Sequence, residues 1–178
     1  MTSILDIDLD YFAILDDPLG RLDRLLTWAN QPIDCLVDHH HKSFDYWVRV
    51  IRQKSLPIPG FILHVDEHHD MLGETRPINC GNFLYFAMRR WPQCRIHWRV
   101  EEPIDSPEMW LSEEAWEAIA GRFTVGPYRK PGWPHPDVVT VCTSPGFLNK
   151  ALARQLVDRV HDFQLRHNPR APLCKSEQ

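Results

Sequence analysis

Three apolar, strand-like runs in this chain each lead into a cluster of acidic and histidine side chains. Ile4 to Phe12 alternates apolar and acidic residues through Asp6, Asp8 and Asp10. Ile33 to Val37 runs into Asp38-His39-His40-His41, and Phe61 to Val65 runs into Asp66-Glu67-His68-His69-Asp70. Runs this apolar belong inside a sheet covered on both faces, and ligands of such sheets collect outside the carboxyl ends of the strands. Carboxylates gathered there repel one another unless cations or water stand among them.

Helical patterns separate the runs. Asp17-Pro18 supplies a cap and a first-turn proline before Leu19, Leu22, Leu25, Leu26 and Ala29, and Asn30 with Pro32 stops the pattern. Ser43 is placed to cap a helix carrying Phe44, Trp47, Val48 and Ile51, Gly81 to Met88 forms the next, and Ser112 opens another with Ala115, Trp116, Ile119 and Ala120. Cys94 to Val100 and Val138 to Cys142 supply further strands, and a last helix carries Leu148, Leu152, Leu156, Val160 and Phe163. Residues 126–136 hold Pro127, Pro131, Pro134 and Pro136 and form a long loop bordering a site, while the polar tail after about residue 168 is expected to be disordered. The alternation predicts one α/β domain over residues 1–178, a three-layer α/β/α sandwich around a mainly parallel sheet.

A chain of 178 residues buries a sufficient core without disulfide or metal staples, so a metal would serve chemistry rather than folding. The 20 Lys+Arg against 24 Asp+Glu, with no basic tract, speak against a nucleic-acid partner. Five cysteines without a Cys-x-x-Cys pair suit a reduced, cytoplasmic chain. The opening Met-Thr-Ser-Ile-Leu-Asp lacks a basic segment before an apolar core, and no apolar run nears the roughly 18 residues of a membrane span, so neither export nor membrane insertion is expected.

In Asp66-x-His68-x-Asp70, a period-two backbone directs three ligands to one side, and that donor mixture suits manganese, iron or zinc better than calcium. His64 lies on the same face further in and is expected behind the ligands, although a satisfied core histidine fits equally well. Asp8 and Asp10 stand nearer the carboxyl end of their strand than Asp6 and are the preferred ligands. Alternation puts His40 with Asp38 and leaves His39 and His41 as caps. The plain alternatives are a solvated loop after a buried strand and an edge strand with a wet face. Two metals bridged by carboxylates would lower the pKa of a shared water and favour hydrolysis. Gly-x-Ser-x-Gly, P-loop and Gly-x-Gly-x-x-Gly motifs are missing.

Asp-x-His-x-Asp with a separate Asp-x-Asp strand resembles the ureohydrolases, the arginase and agmatinase group, whose fold is shared with deacetylase-like enzymes. The blocks Asp38 to Trp47, Leu56 to Gly60, Leu63 to Met71 and Leu5 to Phe12 look most like the small peptide arginases, which convert arginine side chains of ribosomal precursor peptides to ornithine and urea. The resemblance implies two Mn2+ ions held by Asp8, Asp10, His40, Asp66, His68 and Asp70, with Asp6 replacing Asp10 if the strand is registered differently. The order of the two motifs is permuted relative to arginases, which a parallel sheet tolerates. Where arginases carry Ser-Gly-Asn-x-His, Cys80-Gly81-Asn82-Phe83-Leu84 has leucine at the histidine position. The proton donor is therefore open, with His69, His97 and His135 as candidates. Asn82 and Ser144 are candidate substrate contacts, and Glu101 or Glu102 a guanidinium partner. The opening Ile4-Leu5-Asp6-Ile7-Asp8 also looks like the nucleophile strand of haloacid-dehalogenase-type phosphatases. A metal-containing protein that binds peptide without turnover is a third reading.

Overall fold

The computed structural model describes residues 1–127 and 132–168 and the backbone of 174–175. In chain order the elements are β1 (Thr2–Asp8), α1 (Pro18–Ala29), β2 (Cys35–Val37), α2 (His41–Gln53), β3 (Pro59–Val65), α3 (Phe83–Arg90), β4 (Arg95–Arg99), α4 (Glu113–Ala120), β5 (Phe123–Val125), β6 (Val138–Cys142), α5 (Lys150–His167) and β7 (Cys174–Lys175). Short 3-10 turns follow β1 and precede α4. The strands form one seven-stranded sheet in the order β5-β4-β3-β1-β6-β2-β7, parallel at every pairing.

Side-chain alternation along the strands builds two cores. Leu5 and Ile7 of β1, Leu63 and Val65 of β3 and Val139 and Val141 of β6 pack against Leu22, Leu25 and Leu26 of α1 and Leu156, Val160 and Phe163 of α5. Ile4, Ile62, Ile96 and Val138, one residue out of phase, pack against Phe44, Trp47 and Val50 of α2, Phe83, Leu84, Ala87 and Met88 of α3, and Ala115 and Ile119 of α4. The result is the α/β/α sandwich that the strand–helix alternation predicts.

On the α2 side, the same alternation continues from these apolar residues into Asp6 and Asp8, His64, and Thr140 and Cys142. The register sets Asp6 beside His64 on one flank and beside Thr140 on the other, so polar side chains from three adjacent strands meet toward one rim. That placement positions the site.

Local signals act as expected at several ends. Asp17 accepts from Gly20 N at the start of α1, Asn30 closes that helix in left-handed geometry at φ 48, and Ser112 accepts from Ala115 N at the start of α4. Two features differ. β5 is a three-residue strand that no alternation announces, and it exists by pairing with β4. α2 begins at His41, with His40 as its N-cap residue, so Ser43 lies buried inside the helix instead of capping it. The expected tail beyond residue 168 falls outside the described residues, apart from the pairing of β7 with β2. Of the proline-rich loop, residues 128–131 also lie outside them. Among the described residues no helix is long and apolar enough to cross a membrane.

Candidate metal centre

Both acidic motifs leave extended geometry at the rim. β1 ends at Asp8, and Asp10 opens a 3-10 turn in which its amide donates to Asp8 Oδ1 at 3.1 Å. β3 ends at Val65, and the pentad curls: His68 N donates to Asp66 Oδ1 at 2.7 Å, His64 Nε2 lies 3.1 Å from the His68 carbonyl, and Asp70 takes a left-handed φ of 51. The single-sided extended strips expected from period-two spacing are therefore replaced by two turns, because side-chain oxygens capture backbone amides just past each strand end. The turns still direct Asp10, Asp66, His68 and Asp70 into one cleft of about 420 Å³, together with Asp8 and His40.

His40 stands at the centre, buried at the start of α2. Its Nδ1 lies 2.9 Å from Asp66 Oδ2, 3.1 Å from Asp70 Oδ2 and 3.2 Å from Asp8 Oδ2, while Nε2 lies 2.8 Å from Asp6 Oδ2. Neither ring nitrogen meets hydrogen-bond geometry with these oxygens, and Asp10 Oδ1 and Asp70 Oδ2 are likewise buried without a hydrogen-bond partner. Unsatisfied buried polar atoms are costly, so a convergence of four calls for a further group. The spacing suits a metal ion: donors about 2.1 Å from one ion and at right angles lie about 3.0 Å apart. His40, Asp66 and Asp70 can hold one ion, and Asp10, Asp66 and His68 a second, with Asp66 shared between the two sets. Asp66 offers Oδ2 to the first set and Oδ1 toward His68, whose Nδ1 is 3.4 Å from Asp66 Oδ1 and 3.6 Å from Asp10 Oδ2.

The choice between Asp6 and Asp10 turns on free oxygens. Asp6 is fully buried, and Oδ1 accepts from Thr140 Oγ1 at 2.8 Å while Oδ2 lies 3.0 Å from His64 Nδ1 and faces His40. Both oxygens are engaged, whereas Asp10 Oδ1 is not. Asp6 therefore stands behind His40 and His64, with which it forms a further group that could hold an ion, while Asp10 lines the cleft with an oxygen free of hydrogen bonds. Trp47 of α2 donates from Nε1 to Thr140 Oγ1 at 3.0 Å, which ties the helix carrying His40 to β6 and, through Thr140, to Asp6. Cys142 also comes near His40 and Asp8, but burial raises its thiol above the usual range and keeps it protonated, so it is a poor ligand.

The electrostatics show more carboxylate than local cation. Burial opposes charge on Asp6, but His40 and His64 outweigh it and hold the carboxyl at about 2. Burial, with Asp8 and Asp66 alongside, pushes Asp10 up to about 9, and burial with Asp66 pushes Asp70 up to about 7. Asp66 stays below the usual carboxylate range because His40 and His68 offset its burial. His68 is raised to about 9 by its contact with Asp66, and His40 well above the usual value, where Asp6, Asp66 and Asp70 outweigh its burial. A divalent ion is the kind of group that lets such a cluster remain ionised.

Ser144 lines the cleft at a left-handed φ of 37 and donates from Oγ to Asp8 Oδ2 at 2.5 Å. A non-glycine residue in that region costs about 1–3 kcal/mol, and it orients one of the donor carboxylates. His64 also stands where expected, fully buried behind the donors, with Nε2 3.3 Å from Asp66 Oδ2.

Other sequence candidates lie elsewhere. His69 accepts from Met71 N at 2.9 Å, packs edge-on to Trp98 and directs Nε2 to Asp105 at 3.3 Å, outside the cleft. His97 sits on the α1 side of β4, with Nδ1 2.8 Å from Thr124 Oγ1 and Nε2 donating to the Gly126 carbonyl at 3.1 Å. His135 donates to the Trp28 carbonyl at 3.0 Å and stacks on that indole. None of the three reaches the donor cluster. Asn82 is consumed by its own loop, accepting from Asn79 N at 2.8 Å and donating to the carbonyls of Thr75 and Pro77, so it is structural and not a substrate contact. Asp38 does not join His40 as alternation suggests; it is exposed at the cleft mouth, paired with Lys42 at 2.7 Å. Glu101 accepts from Tyr11 Oη at 2.9 Å and does not line the cleft. Spacing alone did not reveal Thr140 and Trp47, because their link to Asp6 exists only across strands and a packed helix, nor the cleft walls at Leu72, Cys80 and Phe147.

Fold and site together define an α/β/α protein whose central strands present a buried carboxylate–histidine cluster able to hold metal. Comparison with known proteins finds no matching family, no matching curated protein and no matching solved structure.

Proposed function

We propose that this chain is a two-metal hydrolase acting on arginine side chains within a peptide, leaving ornithine and releasing urea, with Mn2+ as the native ion. The observation that carries the reading is the pair of donor sets, His40-Asp66-Asp70 and Asp10-Asp66-His68, that share Asp66 at the floor of an open cleft. Asp8 joins them through its contact with His40. Imidazole with carboxylate is a donor mixture for manganese, iron or zinc. Two such ions, when bound, supply a hydroxide at neutral pH and charge stabilisation at the attacked carbon.

The chain's own residues favour a cationic group on an otherwise neutral chain. The cleft is walled by carboxylates and by Leu72, Pro145 and Phe147, and among the described residues neither lysine nor arginine lines it. The α-carboxylate of free arginine would meet no lysine or arginine among the described lining residues, whereas a peptide carries none at that position. The carboxylates attract the guanidinium, and the exposed Phe147 and Leu72 offer apolar surface to its aliphatic stem and to neighbouring residues. Phosphoryl transfer finds less support, since both oxygens of Asp6 are engaged and, among the described residues, no lysine or arginine lines the cleft.

Incubation with manganese and arginine-containing peptides is expected to release urea, with ornithine found by mass spectrometry at the same positions. Asp66→Ala should abolish release. Absence of urea from every arginine peptide and free guanidine compound, at full metal loading, overturns the reading; peptide binding without turnover would then leave a binding protein.

A further inference from the structure

A second pocket, of about 210 Å³, lies on the α1 face of the sheet. Arg21, Arg24, Leu25 and Trp28 line it from one face of α1, and Arg99, the last residue of β4, lines it from the sheet. The register sets Arg99 beside Val65, whose side chain belongs to the core under α1, so the Arg99 side chain takes that same face.

Three guanidinium groups around one small space repel unless anions stand between them. Two carboxylates pair with them without lining the pocket: Glu101 Oε1 lies 3.7 Å from Arg21 and Asp17 Oδ2 lies 3.1 Å from Arg24. Both have other duties, since Glu101 also accepts from Tyr11 Oη and Asp17 caps α1. Arg99 Nε is buried with no hydrogen-bond partner. Three cations against two anions leave room for one further negative charge, which matches a carboxylate better than a doubly charged phosphate.

The pocket adjoins the metal centre along the backbone. Asp66 N donates to the Arg99 carbonyl at 3.4 Å, and Tyr11, whose hydroxyl reaches Glu101, directly follows Asp10. An extended peptide covers about 3.3 Å per residue, so the spacing between its charged side chains measures the span from one pocket to the other.

We propose that Arg21, Arg24 and Arg99, with Trp28 as an apolar wall, bind the carboxylate of an acidic side chain on the same peptide whose cationic side chain enters the metal-centre cleft. The guanidinium forks suit a carboxylate, and the indole covers its methylene stem. The link to the cleft rests on the proposed function; the anion pocket does not.

Peptides carrying lysine in place of arginine keep the positive charge but are not hydrolysed, so they separate binding from turnover. A series with glutamate at successive distances from the lysine, each paired with its glutamine counterpart, is titrated calorimetrically into the manganese-loaded protein. At one or more spacings the glutamate peptide is expected to bind about tenfold tighter, as one or two charge-assisted hydrogen bonds provide. Arg99→Gln should bring that ratio toward one. Arg24→Gln, at an exposed side chain, should reduce it as well. A ratio of one at every spacing in the unaltered protein overturns the proposal, and so does inorganic phosphate competing at concentrations below those of the peptide. Acid-selective binding without urea release from the matching arginine peptides supports the pocket while removing the hydrolase function.

Discussion

At the residue scale, His40 and Asp6 divide the work of the cluster. His40 turns one nitrogen to Asp8, Asp66 and Asp70 and the other to Asp6, and Asp6 is itself held by Thr140 and His64. A carboxylate behind a ligating imidazole fixes the ring and raises its basicity, and losing such a partner typically weakens metal binding about 10- to 100-fold. Asp6→Asn keeps the shape and removes the charge. It is therefore expected to weaken manganese binding by about that factor in a calorimetric titration, with the far-ultraviolet dichroism unchanged. Asp66→Ala differs in kind, because it removes a donor from both sets and should eliminate both binding events. Wild-type affinity in Asp6→Asn would show that Asp6 gives His40 no support.

At the element scale, α2 and β6 set the height of His40 above the sheet, and one hydroxyl joins them. Thr140 Oγ1 accepts from Trp47 Nε1 and donates to Asp6, with all three side chains fully buried. Thr140→Val conserves volume but leaves an indole N–H and a carboxylate oxygen without partners. Each buried orphan costs about 1–3 kcal/mol, so the variant should lose on the order of 2–6 kcal/mol in urea unfolding, with the slope unchanged. A loss within experimental error would mean that the strand–helix link is replaceable. This link also shows where sequence reading stops. β6, α1 and α4 were legible because an apolar run or a capping residue marks each of them locally, and the convergence of Asp8, Asp10, His40, Asp66, His68 and Asp70 on one cleft was legible because two motifs and one histidine cluster stand at strand ends. The start of α2 was not, since Ser43 has the better local signal while His40, the N-cap residue, stands beside Asp8 at the end of β1 and Asp66 just after β3. β5 owes its existence to pairing with β4, and the role of Asp6 to hydrogen bonds from β3 and β6. The general placement of donors was a local property; their supports were tertiary.

At the scale of the whole molecule, the two apolar cores extend over both faces of the sheet and touch the donor cluster at few side chains, Phe83 and Trp47 among them, and that extent makes a prediction about metal removal. Helices on both faces bury many Leu, Ile, Val, Phe and Trp side chains, so chelated protein should remain folded and unfold cooperatively, unlike small domains that depend on their metal. The rim nevertheless gathers Asp8, Asp10, Asp66 and Asp70 at burial levels that disfavour several like charges together. An ion that binds only the native state stabilises it by about 2.7 kcal/mol per site at a concentration one hundred times its Kd. Two sites then give about 5 kcal/mol, and for a domain of this size each kcal/mol raises Tm by about 2–4 °C. Scanning calorimetry should therefore show Tm rising by on the order of 10–20 °C between excess chelator and saturating manganese, with a dependence on metal concentration that Asp66→Ala lacks. A Tm independent of manganese over that whole range would mean that the cluster does not bind the ion in the native state, and the two-metal hydrolase would fail with it.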